Sequence, residues 1–357
     1  MKYVKISVII GLLIAAGLYL YKDAIVIKLA THMIDTNLSS DITTELEDGL
    51  HIYLCGAGSP MYDRKRSGPC TAIIAGKRVF IVDAGNSSSK NLSLGRVPIA
   101  NIEGVFLTHF HSDHIDGLGE LIMQRWVTSG ASSSLPVYGP VGVETVVAGF
   151  NQAYQHDDAY RIAHHGEIIL PPQGSDAVAN VLEVGNNNGD GVVYKSNGLK
   201  IRAFEVDHHP VAPALGYRFD YKGRSLVISG DTVKSATVAQ FAQHVDVLLH
   251  EALSKDLVML INQRANVLGQ QSIAAISKDI IDYHTTPIEA AQIAQEAMVG
   301  HLVLHHIVPP LPIKPLETIF LKGVNEVYSG VVTIGKDGTF ISLPAQSEEI
   351  NVNELLW

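Results

Sequence analysis

The chain is short of cysteine, of net positive charge and of internal linkers, and each shortage closes off a class of function. Only Cys55 and Cys70 occur among 357 residues, too few for the thiolate zinc sites of finger or ribbon domains. A metal, if held, must be held by histidine and carboxylate. Lys and Arg total 26 against 36 Asp and Glu, a formal net charge of −10, so the averaged surface repels phosphate backbones rather than gathering them. A nucleic-acid partner is therefore disfavoured. No Pro/Gly/Ser-rich stretch divides the chain and its halves are too dissimilar to form a repeat. Its 46% hydrophobic content suffices for one large domain or two small ones.

The N-terminus places Lys2 and Lys5 before an apolar run from Ile6 to Tyr21, closed by Lys22 and Asp23. At about 1.5 Å per residue this run is short for a membrane span, but flanking lysines that snorkel bring it within reach. No small-x-small cleavage site closes it, although Ala15-Ala16-Gly17 lies inside. The reading is a signal anchor over 1–22, with a cleaved signal peptide or a buried core helix as alternatives. Lysines on the N-terminal side place the body of the chain outside the cytoplasm, on the periplasmic side of a membrane, or secreted after cleavage. There Cys55 and Cys70 either pair or remain buried free thiols on neighbouring strands. A linker over 23–48, a main domain over 49–345 and a tail over 346–357 complete the division.

Within the main domain, strands are predicted at His51–Cys55, Thr71–Ala75, Val79–Val82, Leu199–Glu205, Ala214–Tyr221, Ser225–Ser229 and His301–His305. The apolar run Val105-Phe106-Leu107 delivers the chain into a histidine cluster, and Gly117–Val127 reads as a helix. The stretch from Ser129 to Gly198 has no clear period and ends in a flexible run, Gly185 to Gly191. Two helices are expected between Ser229 and His301. The second is well marked: Thr286 as N-cap, Pro287 at the first helical position, Glu289 three residues after the cap, and alanines on one face. Strands followed by helices, twice over, predict two αβ halves packed sheet against sheet.

The chemistry concentrates in Thr108-His109-Phe110-His111-Ser112-Asp113-His114-Ile115-Asp116-Gly117. Three imidazoles and a carboxylate within six residues, on a turn leaving a strand, can diverge toward two adjacent metal positions. A lone histidine is usually a hydrogen-bonded core residue, but core packing gives no reason for this density of polar groups. The segment resembles the H-x-H-x-D-H motif of the metallo-β-lactamase superfamily at every position. That resemblance implies an α/β fold, a four-layer αββα sandwich, and two zinc ions per chain, with iron or manganese as substitutes. It assigns His109 and His111 to one ion, Asp113 and His114 to the other. Val206-Asp207-His208-His209-Pro210 before a Gly-Tyr-Arg strand implies His208 on the first ion, with His209 as the alternative. Ser229-Gly230-Asp231-Thr232 implies Asp231 as the bridging carboxylate, and Leu304-His305-His306 implies His306 on the second ion, with His305 at the position of a family threonine.

Leu54-Cys55-Gly56-Ala57-Gly58-Ser59-Pro60, Val82-Asp83-Ala84-Gly85, His250-Glu251-Ala252 and His284-Thr285-Thr286-Pro287 are similar to ribonuclease Z and its arylsulfatase-like relatives over about residues 50 to 310. The resemblance implies a hydrolase whose nucleophile is a metal-bridging hydroxide, with Asp113 and Asp231 in the catalytic centre. Asp83 is expected to support a ligand imidazole, with a turn cap as the alternative, and His284 to protonate a leaving group under the influence of Glu251, with a purely structural hydrogen-bonded pair as the alternative. The basic, Gly-rich arm with which ribonuclease Z clamps tRNA is not found. A small phosphodiester or sulfate ester is thus the expected anionic substrate. Alternatives are a lactone or β-lactam, tRNA 3′ processing, and a metal-stabilised binding protein without activity. Arg161, His164 and His165 are candidates for contacting the substrate anion, and Arg64 and Arg66 weaker ones. Apolar segments near 118–127 and 255–275 offer a surface for a homodimer.

Overall fold

In the computed structural model, which describes residues 2–184 and 191–356, the chain divides into two units, Met1–Asp41 and Ile42–Trp357. The first is one helix, α1 (Lys2–Ser39). It runs through most of the expected linker and carries Lys22, Asp23, Lys28 and Asp35 beyond the apolar run. Among the described residues no helix is long and apolar enough to cross a membrane. This corrects the expectation of a membrane anchor, and with it the periplasmic or secreted placement built on that anchor. The expected flexible run lies, apart from Gly191, outside the described residues.

The second unit contains β1 (Gly49–Gly56), β2 (Cys70–Ala75), β3 (Arg78–Val82), β4 (Ile102–Phe106), β5 (Leu135–Gly139), β6 (Ala177–Val181), β7 (Val192–Ser196), β8 (Leu199–His208), β9 (Val211–Tyr221), β10 (Arg224–Ile228), β11 (Val247–Leu253), β12 (His301–Val308), β13 (Val331–Ile334), β14 (Thr339–Pro344) and β15 (Asn351–Glu354). Its helices are α2 (Ser88–Leu94), α3 (Ser112–Ile115), α4 (Leu118–Ser129), α5 (Val143–His165), α6 (Ala236–Phe241), α7 (Lys255–Val267), α8 (Gln271–Asp279), α9 (Pro287–Glu296), α10 (Lys314–Phe320) and α11 (Val324–Val327). Among the described residues the strands form two sheets, ordered β15-β14-β1-β2-β3-β4-β5-β6 and β13-β12-β11-β10-β9-β8-β7. Each has an antiparallel part and a parallel part, the latter at β3 to β6 and β10 to β13.

Period-two alternation explains the layering. Leu50, Ile52 and Leu54 of β1 face Ile201, Tyr217, Phe219 and Leu226 of the other sheet across one core. Tyr53 and the remaining outer-face residues pack under Leu92 of α2, Leu121 of α4 and Val147 of α5. On the far side Val227, Leu248 and Leu302 pack under Val238 of α6, Ala290 and Ala294 of α9, and Phe320 of α10. Strands buried on both faces need helices on both outer sides, and the result is the expected αββα sandwich. Thr286 closes the expected capping box: its hydroxyl accepts from Glu289 N–H at 3.2 Å, and the Glu289 carboxylate accepts from Thr286 N–H at 2.8 Å. Cys55 and Cys70 are disulfide-bonded, joining the end of β1 to the start of β2.

Among the described residues between Ser229 and His301 the structure has four α-helices, α6 to α9, where two were expected, and two further elements differ from the sequence reading. Residues 143–165 form a 23-residue helix that buries only Val143, Val147 and Asp158, so its apolar stripe is too thin to read. Val247–Leu253, given no strand in the sequence reading, is the interior strand β11, buried at every position; His250 and Glu251 interrupt its apolar run, so neither strand alternation nor a continuous apolar stretch marks it.

The turn that carries the histidine cluster is seated by backbone against backbone. Ala84 N–H donates to His114 O at 2.8 Å, Gly117 N–H to Ala84 O at 2.8 Å, and Gly85 N–H to Pro69 O at 2.9 Å. A Cβ on Gly85 would lie 2.2 Å from Asp113 O and 2.4 Å from Gly68 C, and one on Gly117 2.3 Å from Gly85 O. Only glycine permits this approach. Gly85→Ala is expected to cost about 1–3 kcal/mol, read as a lower denaturant midpoint and weaker metal retention. An unchanged midpoint with unchanged metal retention would show that this seat is not tightly packed.

Candidate metal centre

Five chain segments converge at one end of the sheets. The residues after β4 supply His109, His111, Asp113 and His114; the end of β8 supplies His208; the turn after β10 supplies Asp231; the segment before α9 supplies His284; β12 supplies His306. Adjacent histidines in β12 are told apart by a bulge. Glu251 pairs with His305 and Ala252 with Ile307, so His306 is the extra residue, with a left-handed φ of 45°. That irregularity re-aims its side chain: Nε2 of His306 lies 3.3 Å from Oδ2 of both Asp113 and Asp231. His305 is buried with neither ring nitrogen hydrogen-bonded; burial, aided by His306, lowers its pKa to about 3 and keeps it neutral. At the other ambiguous pair, His208 is buried in the cluster whereas His209 is exposed.

Two donor groups share one carboxylate. In the first, His111 Nδ1 is 3.0 Å from His109 Nε2 and 3.4 Å from His208 Nε2, and Asp231 Oδ2 is 3.9 Å from both His109 and His208. In the second, His114 Nε2 is 3.6 Å from Asp113 Oδ2 and 3.4 Å from Asp231 Oδ2. Ligands about 2.0–2.1 Å from a tetrahedral zinc are roughly 3.3 Å apart, so these donor spacings fit such an ion. His109, His111, His208 and Asp231 form one set that could hold a metal, and Asp113, His114 and His306 another. Nε2 of His114 is buried without a hydrogen-bond partner, as a nitrogen kept free for a cation would be.

The surrounding polar groups select the tautomers. Asp83 accepts Thr108 N–H and Thr108 O–H, both at 2.8 Å, and faces His114 Nδ1 at 2.9 Å. Thr108 Oγ1 faces His109 Nδ1 at 3.0 Å, and the Tyr283 carbonyl faces His208 Nδ1 at 3.0 Å. With Nδ1–H donating outward, each Nε2 lone pair points into the cluster. Burial opposes charge on both Asp231 and His114. It is outweighed on Asp231, where His306 and His114 hold the pKa well below the usual carboxylate range, and on His114, where Asp231, Asp113 and Asp83 raise it well above the usual imidazole range. The centre therefore attracts positive charge.

Beside it, His284 Nδ1 faces Glu251 Oε1 at 3.1 Å, and the same oxygen accepts Thr285 N–H at 2.8 Å. Burial opposes the imidazolium, but Glu251 outweighs it and raises the His284 pKa to about 9. A cavity of about 260 Å³ opens against His111, Asp113, Asp231, His284 and His306. The candidates for anion contact do not line it. Arg161 is engaged with Asp157 on the surface of α5, and His164 and His165 are exposed at that helix's end. Arg66 is a structural residue with a side chain 2% exposed, paired with Asp63 and Glu317 and donating to Gly335 O. Arg64 is exposed on the same loop. A larger groove, of about 790 Å³ and lined by Lys195, Lys200 and Lys222, contains none of the donors.

The beta-lactamase superfamily domain model matches residues 78–307. The chain belongs to the metallo-β-lactamase superfamily. Within it, ribonuclease Z of Mycolicibacterium paratuberculosis is 36% identical over 300 residues, covering 84% of this chain and 100% of that relative. Ribonuclease Z of Mycobacterium marinum is 38% identical over 264 residues, covering 73% and 88%. Human tRNase Z, short form, superposes with a TM-score of 0.57 at 20% identity, over 82% of this chain and 99% of the other. A metallo-beta-lactamase fold protein of Bacillus subtilis gives 0.58 at 18% identity, over 83% and 100%. Family, fold and donor set make this superfamily member a metal-dependent hydrolase. Likeness to ribonuclease Z also weighs against the signal-peptide, membrane and periplasmic expectations, which are not retained.

Glu251→Gln removes the carboxylate that favours a charged His284. The basic limb of the pH–kcat profile is expected to move to lower pH by about 1–3 units, with metal content unchanged. An unmoved limb would show that His284 does not titrate in the rate-limiting step.

Proposed function

We propose that this protein is a dinuclear zinc hydrolase of phosphodiesters, with His109, His111 and His208 holding one ion, Asp113, His114 and His306 the other, and Asp231 shared. The observation that carries this reading is the position of Asp231 Oδ2, 3.9 Å from two nitrogens of the first set and 3.3–3.4 Å from two of the second. Nitrogen and oxygen donors suit zinc, and iron or manganese accept similar shells. When bound, such ions would supply Lewis acidity and activate a water as nucleophile near neutral pH, so no serine or cysteine nucleophile would be needed.

The chain's own groups orient and protonate. Asp83, Thr108 and the Tyr283 carbonyl fix the imidazole rings. Asp113 and Asp231 supply negative charge to balance the cations. His284, held by Glu251 through Nδ1, presents Nε2 to the cavity and donates its proton to the departing alkoxide oxygen. The names of the relatives favour a phosphodiester over a sulfate ester, a lactone or a β-lactam.

A second reading, tRNA 3′-end cleavage, is favoured by the match along the whole of a ribonuclease Z relative. Against it stand the net charge of −10 and residues 129–198, which supply a helix and short strands with Arg161 already paired.

The test is to load the full chain with zinc and assay bis-p-nitrophenyl phosphate, p-nitrophenyl sulfate, a lactone and a tRNA precursor with a 3′ trailer, beside His111→Ala. Turnover of the phosphodiester, reduced at least about a hundredfold in the variant, is expected. Cleavage of the precursor at the trailer would promote the second reading, and turnover of only the sulfate or the lactone would overturn the phosphodiester reading.

A further inference from the structure

The cavity beside the donors has two unlike walls. One is the polar cluster; the other is apolar, made by Pro60, Met61, Ile276, Ile280, Tyr283 and Val308. Behind it lies a small apolar cluster separate from the main cores, in which Leu253, Val258 and Val308 are buried and Met61 and Ile280 pack against them. Neither the metal donors nor the His284–Glu251 pair requires this surface. It is assembled from three segments distant in sequence: the loop between β1 and β2, the α8 end running into Tyr283, and the end of β12 at Val308.

The first two of these are held in place by polar contacts. Asp337, buried, accepts Ala57 N–H at 3.0 Å and Ser67 N–H at 2.9 Å, one at each end of the loop that carries Met61, and Asn91 Nδ2 donates to it at 2.8 Å. Arg66 ties the loop to Gly335, and Gly58 N–H donates to Ser67 O at 2.7 Å. On the other side, the Tyr283 carbonyl is fixed by His208 at 3.0 Å, and its ring packs edge-on against that imidazole, centroids 5.1 Å apart. The apolar wall is thus set at a fixed position relative to the donors, which is what discrimination between substrates needs.

We propose that this wall is a subsite for an uncharged hydrophobic substituent of the substrate, about one aromatic ring in size, attached to the anionic phosphoryl group that faces the donors. The inference rests on the phosphoester reading above and specifies its organic part. A cavity of about 260 Å³ accommodates a single ring, since an apolar space of about 150 Å³ takes up benzene. On this side of the cavity only Tyr283 and the neighbouring Ser59 offer polar side-chain groups, so the subsite selects chiefly by size and hydrophobicity. Ile276, 60% exposed, forms its rim and gains cover when the ring is seated.

The test measures binding, not turnover. Phenylphosphonate and methylphosphonate, which carry the same anionic head and no scissile ester, are titrated calorimetrically into the zinc-loaded full chain. The expectation is that phenylphosphonate binds about tenfold more tightly, the gain from covering roughly one face of a ring. The preference should shrink severalfold in Ile276→Ser, whose exposed position spares the fold and which adds no charge, and in Ile280→Ala, while methylphosphonate affinity holds. Equal affinity of the two ligands for the wild-type protein overturns the subsite and leaves the hydrolase reading standing. Failure of both to bind overturns the subsite together with the phosphoester site it adjoins. A preference undiminished in both variants also overturns it, because the ring must then sit elsewhere.

Discussion

One buried carboxylate oxygen organises the molecule. Oδ2 of Asp231, 3% exposed with its residue, lies within 3.9 Å of four imidazole nitrogens. Removing such a charge from water costs several kcal/mol unless it is paired, and imidazoles crowded this closely cannot all take up protons to pair it without repelling one another. The arrangement is favourable only with positive charge at its centre. The rest of the fold supplies the means of bringing these groups together: β4, β8, β10 and β12 carry their donors toward one end of the sheets, and the bulge at His306 turns one side chain out of the regular pattern.

Rigidity comes from the layers beyond the donors. Asp83 connects two of the imidazoles through Thr108 and His114, and the glycine-to-backbone contacts beneath the motif leave the turn no room to shift. Asp337 performs a comparable service for the loop before β2. These are buried polar groups with several partners each, so they fix geometry as well as contributing stability. A preorganised site needs this outer support more than it needs further donors.

Much of the centre was legible because its chemistry is local. His109, His111, Asp113 and His114 lie within six residues after an apolar strand, and Asp231, His208 and His306 each follow a strand of clear pattern. The structure gathers those seven residues at one place. Spacing alone does not separate His305 from His306; the family resemblance chose His306, and the structure shows the distinction as a single-residue bulge set by pairing with β11. Helix α5 escaped notice because it turns few apolar residues inward, and β11 because it is buried on both faces and interrupted by His250 and Glu251, so it shows no alternation. The terminal apolar run was misread through length and flanking charge alone, which do not distinguish an anchor from a helix that continues to Ser39. The apolar wall of Met61 and Ile280 carries no motif, for its meaning lies in which distant segments meet.

The most direct check of the shared-carboxylate account is the metal content of the full chain and of Asp231→Ala, determined by elemental analysis after dialysis against zinc and then against metal-free buffer. Two ions per chain, falling to one or none in the variant while the protein stays folded, is the predicted result. One ion or fewer in the unaltered protein, or two retained without Asp231, would contradict it.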